Sequence, residues 1–193
     1  IGKANNVDEE KTNDKHASIL DVSIHVFAAQ GFQGTDVQTI ADKAGVGKGT
    51  VYRYFGDMES LFWEAWLEVC RRINVCLTNA MSQVDSCVAK LRAATLAEGT
   101  FFEENPHCLE MFIQDRAVFR GSYPDRIQSH LDESYTQPFI QLFRQAVDNG
   151  ELRDVDPSDL YWAFVAAVGG TLLNQAYRDS SIPLSERLAR TFD

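Results

Sequence analysis

Five side chains suited to nucleic-acid recognition crowd into the nine residues GKGTVYRYF, numbers 47 to 55. Lys48 and Arg53 carry the charge and donors that read guanine edges or grip phosphates. The hydroxyls of Thr50 and Tyr52 suit phosphate oxygens, and Tyr54 suits either a phosphate or a thymine methyl. Beside Val51, Tyr52 is also the aromatic most able to pack against the fold instead. Gly49 has no side chain, which lets backbone come close to a partner. Val51 and Phe55 lie four apart and give the segment one buried face. Just upstream, Val37, Ile40, Ala41 and Ala44 recur at helical spacing. Thr35 or Asp36 caps that helix, and Gln38 completes a capping-box pattern with Thr35. Gly45 ends it and Val46 returns to the core. Two short helices across a glycine turn make a helix-turn-helix, whose second helix enters the DNA major groove.

The elements around this unit are helical throughout, and the fold class is all-α. A first helix is expected over Asp14–Gln30, its stripe of Ile19, Leu20, Ser23, Val26 and Phe27 facing the helix-turn-helix. Gly31 stops it and Phe32 tucks back. Asp57 caps a long connecting helix, with Glu59 in its first turn and a stripe from Phe62 through Trp66, Val69 and Ile73 to Leu77 and Ala80. Asp85 or Ser86 opens another helix toward Glu104, with Val88, Leu91, Thr95 and Leu96 inward. Asn105-Pro106 and Asp156-Pro157 both read as a cap followed by proline at the first helical position. Between them a segment from Pro124 to Asn149 must kink or break near Pro138, and Gly150 closes it. A further helix begins after Ile182. In AFVAAVGGTLLNQA, the small residues Ala163, Ala166, Ala167, Gly169 and Gly170 admit a close neighbour. That helix is either internal core or a homodimer face shared with the 124–149 segment. The expected domains are a mobile tail over 1–12, a DNA-binding domain over 13–56 and a larger helical domain over 57–193, with 57–81 as connecting helix.

Composition narrows the class. The chain has 193 residues, 45% of them apolar, and no run of eighteen apolar residues, so no membrane span is expected. The polar N-terminus lacks the apolar segment of a secretory signal. The net charge of −10 divides into −2 for residues 1–57 and −8 for the rest. Phosphate attraction must therefore come from a few placed cations and helix N-termini. Cys70, Cys76, Cys87 and Cys108 lie in apolar-periodic segments without metal-knuckle spacing, and read as free thiols of a cytoplasmic protein. His107, Cys108 and His130 invite a thiol–imidazole enzyme reading. Adjacent residues on a helix point about 100° apart, however, so His107 and Cys108 do not face each other. No glycine-rich phosphate loop, zinc spacing or nucleophile elbow occurs, so neither catalysis nor a cofactor or metal is expected. A third reading is a helical protein-interaction module with an architectural helix-turn-helix, which predicts no salt-dependent duplex binding.

The continuous run ILDVSIHVFAAQGFQGTDVQTIADKAGVGKGTVYRYFGDMESLF, Ile19 to Phe62, resembles the DNA-binding domain of the TetR family of bacterial transcriptional regulators. FAAQGF, IADKAGV and GTVYRYF carry the likeness most clearly. The resemblance implies a helix-turn-helix domain followed by a helical ligand-binding and dimerisation domain. It implies a repressor that binds double-stranded operator DNA and is released by a small-molecule effector. The DNA-binding set it implies is Thr35, Gln38, Lys48, Gly49, Thr50, Tyr52, Arg53 and Tyr54. It favours a homodimer through the last two long helices, with Phe139, Phe143, Ala163, Ala167, Gly170 and Thr171 at the interface. Phe101, Phe102, His107, Phe112, Gln114, Arg116, Phe119 and Trp162 mix aromatic and polar groups as candidate pocket residues. Two positions depart from the family pattern. Gly47 stands where a serine cap is common, and Met58 where a lysine commonly binds phosphate. Lys15 and His16 are the candidate replacements for that cation.

Overall fold

The computed structural model describes residues 3–119, 125–174 and 181–190, with side chains described from Asp14 onward except 115–119 and 126. All regular structure among the described residues is helical, as the periodicity predicts. The elements are α1 (Lys3–Gly34), α2 (Val37–Lys43), α3 (Lys48–Phe55), α4 (Met58–Met81), α5 (Cys87–Glu104), α6 (Pro106–Phe119), α7 (Asp125–Leu131), α8 (Gln137–Asp148), α9 (Pro157–Asn174) and α10 (Leu184–Ala189). A π-helical turn over Asp132–Thr136 joins α7 to α8. Pro138 explains its place: a residue without an amide hydrogen cannot close the α-helical ladder, and the Gln137 N–H bonds back to the Asp132 carbonyl.

Two compact units divide these elements. The first holds α1, α2 and α3, α4 as far as Arg71, and α6 from His107. Its core joins Ile19, Ile24 and Phe27 of α1, Ile40 of α2, Val51 of α3 and Leu61, Phe62, Trp63 and Trp66 of α4, all at most 2% exposed. Aromatic rings run through it in series: Phe27 to Phe62 at 5.2 Å, Phe62 to Trp63 at 5.8 Å, Trp63 to Trp66 at 5.9 Å and Trp66 to Phe112 at 5.9 Å. Such pairs add attraction beyond the burial of their area. Gly31 leaves the helical region (φ 71°) and kinks α1, so Phe32 turns back onto Phe27 and Phe62. α6 lies on α1 here: His107 stacks on His25 at 3.9 Å, and Gln114 Nε2 donates to the Ala28 carbonyl at 3.3 Å.

The second unit holds the rest of α4 with α5 and α7 to α10. Leu91, Ile140, Phe143 and Tyr161 form the core where α5, α8 and α9 meet. The N-terminus of α5 is capped twice. Ser86 Oγ accepts from the Ala89 N–H at 3.1 Å, and Glu151, beyond α8, accepts from the amides of Cys87 at 3.1 Å and Val88 at 2.9 Å. Those two amides, Val88 first, hold the Glu151 carboxyl below its ordinary value of 4.5. Its stabilising contribution is thus present above pH 4.5 and lost as pH falls through the depressed value. Glu151→Gln is expected to lower Tm at pH 7 and to converge on the wild type as pH falls through that depressed value. A Tm difference that stays constant with pH would refute this account of the cap. At the other end of α5, Gly99 meets α10, and the Glu103 carboxylate accepts from the Ser185 N–H at 2.8 Å.

The boundaries differ from expectation at three places. The helix begins at Lys3, where a tail over 1–12 was expected; no glycine or proline interrupts residues 3–30. The larger domain expected over 57–193 does not form one unit, because α6 folds with α1. On α5, Leu96 is exposed rather than inward, and Ala94 and Phe102 take the buried face.

Candidate nucleic-acid interface

Asp36 alone caps α2: its carboxylate accepts from the Gln38 N–H at 2.9 Å. The Thr35 hydroxyl donates to the Gly31 carbonyl at 2.7 Å instead, so the expected capping box does not form. Gly45 adopts φ 66° and lets the Val46 N–H reach the Ala41 carbonyl at 2.9 Å, which closes the turn. α3 then anchors through Val51 and Phe55, 1% and 5% exposed. These anchors decide which way every other side chain of the helix faces. Lys48, Gly49, Tyr52 and Arg53 are exposed, and Thr50 and Tyr54 are half-buried. Tyr52, for which packing was the alternative to a DNA contact, stands exposed, and Tyr54 packs edge-on to His16 at 5.8 Å.

The exposed groups are held by light contacts. Lys48 Nζ lies 3.6 Å from Asp36 Oδ1 and ties the start of α3 to the start of α2. Asp36 titrates below the usual carboxylate range, first because of the Gln38 N–H and then because of the Lys48 cation. Gln38 Nε2 donates to Asp42 at 2.7 Å. The Arg53 guanidinium lies over the Tyr54 ring, 5.4 Å from its centroid. Gly47 gives α3 no side-chain cap, as expected of glycine there. Met58 opens α4, whose first turn is capped by Asp57 accepting from the Ser60 N–H at 2.7 Å.

His16 takes a different place from that of a free cation. Its ring stacks on Phe55 at 4.7 Å, and its Nε2 lies 3.2 Å from Glu64 of α4. The imidazole is therefore a peg between α1, α3 and α4, a role the sequence offered no signal for. Lys15 remains exposed.

The candidate pocket residues do not converge on one site. His107, Phe112 and Gln114 pack within the first unit, on His25, Trp66 and Ala28. Phe101 and Phe102 are buried in the second unit with their rings 5.5 Å apart. Trp162 is 58% exposed on α9. The side chains of Arg116 and Phe119 lie outside the described residues. Of the candidate interface residues, Ala163 and Ala167 are exposed, and Phe139, Gly170 and Thr171 are half-buried. Phe143 is instead core, 5% exposed against Phe164. Cys108 is 1% exposed, and among the described residues no group of three His, Cys, Asp or Glu side chains is arranged to hold a metal. No helix among them is long and apolar enough to cross a membrane.

Residues 19–65 match the family model for bacterial regulatory proteins of the tetR family. The mycofactocin biosynthesis regulator MftR of Mycobacterium tuberculosis is 28% identical over 91% of this chain and 86% of its own. The transcriptional repressor AcnR of Corynebacterium glutamicum is 27% identical over 93% and 91%. Among solved structures, FadR of Bacillus subtilis in complex with stearoyl-CoA shares the fold with a TM-score of 0.78 at 17% identity, covering 91% of this chain and 96% of that one. FadR of Bacillus halodurans does so with 0.81 at 18%, covering 92% of each. The helix-turn-helix and these likenesses agree: residues 19–65 form a DNA-binding domain of the tetR type, and the chain is similar over most of its length to transcriptional regulators.

Proposed function

We propose that the chain is a cytoplasmic homodimeric repressor that holds an operator through α3 and releases it when a small molecule binds. The observation that carries this reading is the face of α3 opposite its anchors, where Lys48, Gly49, Tyr52 and Arg53 stand exposed together. Arg53 reads a guanine edge, Lys48 a guanine or phosphate, and Tyr52 and Thr50 bond phosphate oxygens. Tyr54 and Gln38 flank them, while Thr35, whose proton is already committed to Gly31, offers only an acceptor. Repression is supported by the AcnR relative, and a small-molecule effector by the stearoyl-CoA complex of the fold-related FadR.

Dimerisation is supported by α9. Trp162, Ala163, Ala166 and Ala167 are exposed on it, and a Cβ added to Gly169 or Gly170 would meet nothing within 4 Å. An apolar face of this kind calls for a partner surface. Phe143 supports that face from beneath, through Phe164, rather than lying on it.

Gly49 supplies a clean test. A Cβ placed there meets no protein atom within 4 Å, and alanine favours the helix by about 1 kcal/mol. Gly49→Ala should therefore keep or raise Tm while weakening binding to a duplex from the promoter of its own gene by roughly tenfold, since a methyl group at a close backbone approach overpacks it. Lys48→Ala should weaken binding and flatten its salt dependence. Unchanged affinity in both variants, measured by fluorescence anisotropy, would remove α3 from the interface and favour the protein-interaction reading.

A further inference from the structure

Glu98 is out of place on its helix. On α5 it follows Ala94 by four residues and precedes Phe102 by four, the spacing that stacks side chains on one face. Leu91, Ala94, Thr95 and Phe102 on that face are each 1% exposed, and Cys87 and Phe101 beside them are 4% and 8% exposed. A carboxylate stands at the centre of this apolar stripe, yet Glu98 itself is only half-buried. Glu98 is thus the least buried position of the stripe.

No hydrogen bond or ion pair compensates Glu98 among the described residues. The hydroxyl of Thr95, on the same face, donates to the Leu91 carbonyl at 2.9 Å. Burial alone pushes its carboxyl up to about 7, with no neighbouring charge contributing. An uncompensated acid in an apolar wall is a standing cost that a ligand can remove. The group that removes it must bring positive charge, and its remaining surface must suit Phe101, Phe102 and Leu91. The charge of −8 carried by residues 58–193 adds long-range attraction for cations and repulsion for anions.

We propose that Glu98 is the charge-recognising residue of the effector site, and that the effector is an apolar organic cation such as a protonated or quaternary amine with an aromatic or aliphatic body. This rests on the reading of the chain as a ligand-released repressor, and extends it by naming the chemistry of the ligand.

Two probes of the same size and opposite charge decide the matter. Tetraphenylphosphonium is expected to raise the Tm of the purified protein, and tetraphenylborate to leave it unchanged. Glu98→Gln, nearly isosteric, should weaken tetraphenylphosphonium binding by roughly tenfold or more in calorimetry, while Glu98→Asp retains part of it. Equal binding of both probes, binding of neither, or undiminished binding of the cation by Glu98→Gln would overturn the assignment. Duplex binding measured on the same preparations separates the two levels. Intact duplex binding with no preference for the cation sinks the ligand class alone. Absent duplex binding sinks the regulator reading beneath it.

Discussion

Glu98→Gln should make the protein more stable at pH 8, by about 2 to 3 kcal/mol, and indistinguishable from wild type near pH 4. Burial raises the folded-state value of this carboxyl from 4.5 to about 7. Each tenfold change in proton affinity on folding is worth about 1.4 kcal/mol, and partial contact with water trims the total. Between those two values the folded chain binds more protons than the unfolded one, so stability falls as pH rises through about 7 and levels off above it. Glutamine cannot ionise and escapes that fall. Chemical denaturation of both proteins at pH 4, 6 and 8 measures it directly. Parallel curves across the range would show that the acid is solvated and not desolvated.

The second large effect is expected at Gly99. A Cβ there would sit 2.5 Å from Ser185 Cα and 2.8 Å from Ser185 N, backbone atoms that cannot swing aside. Gly99→Ala should cost about 1 to 3 kcal/mol through overpacking, an effect only partly offset by the better helix propensity of alanine. The strain has one outlet, the displacement of α10 from α5. That would also break the bonds from the Ser185 amide and hydroxyl to Glu103, at 2.8 and 3.0 Å. A lower Tm together with faster proteolytic cleavage near α10 is the expected pair of results. A Tm equal to that of wild type would mean that the α5–α10 approach is looser than these distances.

Much of this was legible in the chain, and the reasons are local. Asp36, Asp57, Ser86 and Asp156 cap helices because a short acceptor side chain reaches the free amides of a first turn. Gly45 and Gly150 end helices because they tolerate φ of 66° and 72°. Val51 and Phe55 predicted which face of α3 is buried. Long-range contacts were not legible. Nothing in the spacing of His16 announces a ring stacked on Phe55 and a hydrogen-bond contact with Glu64, 48 residues away. Likewise α6 follows the connecting and α5 helices in sequence but packs its His107 on His25. Glu98 escapes such a reading because an acid inside an apolar stripe looks like a break in the pattern until its neighbours are seen buried.

The ion pair between Lys48 and Asp36 bears on how such a protein searches a genome. In the proposed operator complex, the carboxylate 3.6 Å from the ammonium would imitate the phosphate that the lysine meets on DNA. Any stretch of duplex must displace that imitation before it gains the contact, so the exchange yields little on a random sequence. Where base edges also engage Arg53, the same exchange is carried by the other contacts. On the proposed reading, the Asp36 carboxylate would therefore shorten dwell time on irrelevant DNA more than on the operator. A chain with net charge −10 can in this way trade general stickiness for speed of search.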